Sequence, residues 1–144
     1  MIAAIPRSEI FANPLPSRAT GEIAGGGVRP LLQLEGFAAF AVALALYGHA
    51  GFSWLVFALG FLTPDLAMLA YLAGPRIGAV VYNLAHTYAL ALTLLIAGFV
   101  SGNSVVIAGG LIWVAHIGFD RALGYGLKYP TAFGDTHLRG IGRR

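Results

Sequence analysis

Apolar residues in this chain do not recur at helical or strand spacing among polar ones. They come in four nearly continuous runs, over about 30–47, 52–73, 77–100 and 104–124. Each is close to the roughly 20 residues a helix needs to cross a hydrocarbon core of about 30 Å. The pattern predicts an all-α fold, an integral membrane bundle of four transmembrane helices. Pro30 suits a helix start, and Gly48-His49-Ala50-Gly51, Gly74-Pro75-Arg76 and Gly98 to Asn103 supply the turns. Residues 1–29, with Pro6, Pro14, Pro16 and Gly25-Gly26-Gly27, read as a flexible N-terminal tail, 30–128 as the transmembrane domain and 129–144 as a C-terminal tail. No compact charged stretch followed by an apolar core marks a cleaved leader, so the first span is expected to be retained.

Composition agrees with a lipid environment: 58% of the 144 residues are hydrophobic and only 10% charged, with a mean hydropathy of +0.76. Without cysteine there is no disulfide, thiolate nucleophile or thiolate metal ligand, so any metal must be held by imidazole and carboxylate. The nine basic residues form no stripe with interleaved aromatics, which excludes a nucleic-acid partner. Arg7, Arg18 and Arg29 precede the first span, Arg76 lies between the second and third, and Arg121, Lys128, Arg139, Arg143 and Arg144 flank or follow the fourth. In a four-span chain these regions share one side, which the positive-inside rule makes cytoplasmic, termini included.

The polar residues inside the spans carry the candidate chemistry. Glu35, Asp65 and Asp120 are three of the six acidic residues, and His86 and His116 two of the four histidines. A charge near the bilayer centre costs roughly 3 to 10 kcal/mol, so these residues must face the bundle interior and find partners. At a rise of about 1.5 Å per residue, Glu35, Asp65, His86, His116 and Asp120 all fall within roughly 14 Å of one membrane face, the cytoplasmic one. His116 and Asp120 share one helical face, as do Tyr82, Asn83 and His86. Pro64 withholds a donor from the carbonyl of Gly60 and kinks the helix, a device for opening a cavity.

Asp65, His86, His116 and Asp120 form a ligand set for a divalent transition metal (zinc, manganese or iron), with Glu35 as candidate general base. The competing reading is a structural network in which the same carboxylates pair with the histidines and nearby arginines. Glu35 alone could equally snorkel to the interface. Gly74 with Gly78, and Gly109-Gly110, fit close helix approach. Tyr125, Lys128 and Tyr129 suit an interfacial belt, and a returning tail would bring Asp135 and His137 to the site.

The stretches Gln33-Leu34-Glu35-Gly36, Phe61-Leu62-Thr63-Pro64-Asp65-Leu66, Gly78 to His86 and His116 to Tyr129 resemble a bacterial integral membrane family catalogued as domain of unknown function 4260. The resemblance runs from about Pro30 to Leu138. It implies a small multi-span protein of the bacterial inner membrane and names no reaction. A more distant similarity is to membrane-bound metal-dependent hydrolases, which also pair Pro-Asp inside an apolar segment with scattered histidines. Their histidine-arginine and threonine-histidine-serine motifs are missing here.

Three functions remain open from the sequence. One is a metal-dependent hydrolase of a lipid-linked substrate; a second is a transporter that handles cations or protons. The third is a structural accessory subunit of a larger membrane assembly or a homo-oligomer.

Overall fold

Where water is absent, only a helix satisfies its own backbone, and each apolar run folds accordingly. In the computed structural model, which describes residues 19–131 and 136–138, α1 spans Ala19–His49, α2 Trp54–Phe61, α3 Pro75–Ala85, α4 Tyr88–Ser101 and α5 Ser104–Leu123. A 3₁₀ helix, Thr63–Ala73, lies between α2 and α3. The segments Gly27–His49, Trp54–Ala73, Pro75–Ser101 and Ser104–Leu123 are each long and apolar enough to cross a membrane. The protein is an all-α membrane bundle of four spans. Arg7, Arg18, Asp135, Arg139, Arg143 and Arg144 lie outside the described residues.

The first boundary differs from the sequence expectation. Pro30 does not open α1 but sits inside it, and residues 19–29 continue the helix rather than forming a tail. Proline removes one intrahelical hydrogen bond, that to the carbonyl four residues back. Near the mouth of the span, where Val28 to Pro30 are exposed, other donors can replace it, so the helix survives.

The middle two spans are each broken near mid-length. The second changes from α2 to the 3₁₀ helix at Leu62, and the third interrupts between α3 and α4 at His86 and Thr87. Both breaks are repaired by side chains. At the first, the Thr63 hydroxyl donates to the Gly60 carbonyl at 2.6 Å, satisfying the group that Pro64 abandons. At the second, α5 does the repair: Trp113 Nε1 donates to the Ala85 carbonyl at 2.6 Å and Arg121 Nη2 to the His86 carbonyl at 3.1 Å. Thr87 then starts α4 by accepting from the Ala89 amide.

Helix α5 is the axis of the bundle. Half of its span is buried, against at most 17% of any other, and α1, α2 and α4 all pack on it. Asn103 caps its start, accepting from the amides of Val105 and Val106, and Gly124 ends it at φ 89°. The α1 crossing depends on two glycines. A Cβ on Gly118 would stand 2.6 Å from the Phe40 amide nitrogen, and one on Gly36 would run into Arg121 and Ala122. Gln33 Nε2 adds a hydrogen bond to the Ala122 carbonyl at 3.1 Å. The face of α1 turned to α5 is therefore Gln33, Gly36, Phe40 and Ala43, at helical spacing.

The end of the bundle near the α1–α2 turn is aromatic. Tyr47 is fully buried, packs with Leu111 and Ile112, and is ringed by Phe52, Trp54 and Phe57 at centroid distances of 5.1 to 5.5 Å. Its hydroxyl donates to the Ser53 carbonyl at 2.8 Å.

Candidate metal centre

Both helix breaks face the polar residues of α5. Asp65 stands in the first turn of the 3₁₀ helix, His86 ends α3, and His116 and Asp120 lie one turn apart on α5. Their donor atoms converge within 4.8 Å of one another. The two Nε2 atoms are 3.2 Å apart. Asp65 Oδ1 lies 3.5 Å from His86 Nε2 and 3.6 Å from His116 Nε2. Asp120 Oδ2 lies 3.6 and 3.9 Å from the same two atoms.

These spacings can be set beside the two sequence readings. A network of imidazolium–carboxylate hydrogen bonds would close to about 2.7–2.9 Å. Four ligands at about 2.0–2.1 Å around a tetrahedral ion stand about 3.3 Å from one another. The imidazole–imidazole and imidazole–carboxylate separations run from 3.2 to 3.9 Å, so the four residues could hold a metal.

The surroundings orient the ligands unequally. His86 is 1% exposed; its Nδ1 is 2.9 Å from the Tyr82 carbonyl, an arrangement in which Nδ1 carries the proton and Nε2 keeps its lone pair. Tyr82 also stacks on the ring, 3.8 Å between centroids at 12°, and its hydroxyl donates to Asp120 Oδ2 at 3.4 Å. One tyrosine thus positions two candidate ligands. His116, 2% exposed, packs edge-on against Phe61 at 5.3 Å. Its Nδ1 is buried and finds no hydrogen-bond partner among the described residues. The carboxylates differ too: Asp120 is 15% exposed and Asp65 34%, which makes Asp65 the open side of the cluster.

Glu35 is not part of this convergence. It lies exposed on α1, between Gln33 and Gly36, which turn toward α5. His137 also stays away: its Nδ1 accepts from the Leu127 amide at 2.8 Å. Burial and the nearby Arg121 guanidinium hold its imidazole below the usual histidine range.

Lys128 does more than mark an interface. It is buried, with its ammonium over the Tyr82 ring at 4.7 Å. Asn83 clamps it in place, donating to the Lys128 carbonyl at 2.8 Å and accepting from the Lys128 amide at 2.7 Å. Burial draws the Lys128 ammonium below its ordinary range, and Asp120 partly offsets this. Spacing alone placed Asn83 on the His86 face but did not reveal Lys128, Trp113 or Arg121 as parts of the site. Trp113 is three residues before His116 and Arg121 directly follows Asp120, so helical facing was the available signal.

Comparison with known proteins places the chain at this point. The family model described as "Domain of unknown function (DUF4260)" matches residues 29–141. The chain belongs to this family. No curated protein and no solved structure matches. DUF4260 membership brings no assigned reaction, so function has to be argued from the cluster.

Proposed function

We propose that this DUF4260 protein is a metal-dependent hydrolase embedded in the bacterial inner membrane and acting on a lipid-linked substrate. The observation that carries the reading is the convergence of Asp65, His86, His116 and Asp120 at ligand-to-ligand spacing. A divalent metal held there would supply Lewis acidity, polarising a carbonyl or phosphoryl oxygen and bringing the pKa of a water to about 7. His86, His116 and Asp120 are the fixed holders, each on an ordered helix end or on α5.

Asp65 has a second task. A catalytic site needs a position that substrate or water can enter, whereas a shell closed by four protein donors is structural. Asp65 is the most exposed of the four and comes from the broken span, so with a metal held by the other three its carboxylate would be the one placed to accept a proton from water. This role was assigned to Glu35 on sequence grounds, and the exposed position of Glu35 on α1 does not support it. The distribution of Arg29, Arg76, Arg121 and Lys128 supports an orientation with both termini cytoplasmic.

The test is metal content. Purified without chelator, the protein should carry one zinc, manganese or iron per chain. His86→Ala and His116→Ala should each retain less than about a tenth of that while still inserting in the membrane, since alanine is well tolerated in a spanning helix. Wild-type protein free of metal, or variants that keep the full complement, would sink the proposal.

A further inference from the structure

A groove of about 430 Å³ opens between the two repaired breaks and α5, within the range of about 300–1,000 Å³ usual for small-ligand sites. Three of its wall residues neighbour the cluster along the chain. Pro64 precedes Asp65, Ala85 precedes His86, and Ile112 lies one turn before His116. From there it extends along α5 toward the α4–α5 turn, past Leu94 and Gly109.

The lining offers nothing for a polar molecule. Thr63 and Trp113 supply its side-chain donors, and both are committed, Thr63 to the Gly60 carbonyl and Trp113 to the Ala85 carbonyl. A ligand in the groove gains dispersion contacts alone, and the groove sits at the depth where hydrocarbon surrounds the protein.

Gly109-Gly110 shows that the space is not a packing residue of α4 on α5. Gly110 is the close approach, where a Cβ would stand 2.8 Å from the Leu95 backbone. Gly109 has nothing within 4 Å of a built Cβ, although it lies on the same buried helix. Its missing side chain keeps the groove open.

We infer that this groove seats a single hydrocarbon chain of the substrate, with the chain's polar head delivered to Asp65, His86, His116 and Asp120. The inference rests on the metal reading for what happens at the head. It is separate from that reading in what it requires of Gly109.

The experiment uses the full chain in detergent with Trp54→Phe, so that Trp113, in the groove wall, is the only tryptophan. The probe is 9,10-dibromostearic acid, whose bromines quench indole fluorescence on contact. Quenching of Trp113 should saturate at one probe per chain. Gly109→Phe, at a position where a Cβ meets nothing within 4 Å, should abolish the saturable part, and Ala67→Phe, from another wall residue, should do the same. Metal content is measured on every sample. Loss of saturable quenching with metal content unchanged supports the groove. Quenching that never saturates, or that stays saturable in both filled variants as it is in the parent, overturns it whatever the metal content. Absence of metal from the wild type would instead count against the hydrolase reading.

Discussion

The two ends of this bundle satisfy buried side chains by opposite means. Around Tyr47, Phe52, Trp54 and Phe57, rings lie 5.1 to 5.6 Å apart and the one buried hydroxyl has a 2.8 Å hydrogen bond. Nothing there is left to be completed. Around His86 and His116 the helices are broken, the donor atoms of four side chains lie within 4.8 Å of one another, and His116 Nδ1 lacks a partner among the described residues. The aromatic end is a packing solution, and the polar end brings together four side chains that could hold a metal.

The largest way to break this contrast is to exchange the consequences. Removing an imidazole by His86→Ala or His116→Ala should cost nearly all bound metal, whereas Phe57→Ala at the other end should lower thermal stability and leave the metal stoichiometry at one. A Phe57 variant that lost metal as completely as the histidine variants would erase the distinction.

A finer test is Tyr82→Phe. It keeps the stack on His86 but removes the donor to Asp120. Loss of such an orienting contact weakens metal affinity about 10- to 100-fold, to be read by competition with a chelating dye. Unchanged affinity would leave Tyr82 a packing residue. At the aromatic end the matching change, Tyr47→Phe, deletes the bond to the Ser53 carbonyl and should cost about 1 kcal/mol of stability with no effect on metal.

The smallest effect concerns the turn after α5. Burial and the nearby Arg121 guanidinium hold the His137 imidazole below its ordinary value of 6.5, and its Nδ1 accepts from the Leu127 amide in the unprotonated form. The contribution is present in full above pH 6.5 and is lost as pH falls through the lower folded-state value. Hydrogen exchange at the Leu127 amide should speed up on acidification through that window, and His137→Ala should remove the dependence. Exchange that stays slow in the acid range would contradict the assignment.

Much of this was legible in the sequence. The four spans follow from run length, and Asp65, His86, His116 and Asp120 could be grouped because an ionisable residue at membrane depth must turn inward. Glu35 obeyed the same rule on paper and still lies exposed. Almost every position of α1 is apolar or small, so the sequence carries no periodicity to show which face meets α5. That face is set by the fit of Gly36 against α5 and of Gly118 against Phe40. Pro64 announced the first break. The second has no proline, and His86-Thr87 becomes a break because Trp113 and Arg121 arrive from α5 to take its carbonyls. Contacts of that range are invisible to local spacing. The same holds for Gly109 and Gly110, identical in sequence and opposite in use.

X-ray absorption at the edge of the metal found in the purified protein tests the shared centre most directly. The cluster should give a first shell of nitrogen and oxygen at about 2.0–2.2 Å, with the outer-shell pattern of two imidazoles that falls to one in His116→Ala protein reconstituted with excess metal. A shell without imidazole scattering, or one unchanged by His116→Ala, would contradict a metal held between the two broken spans and α5.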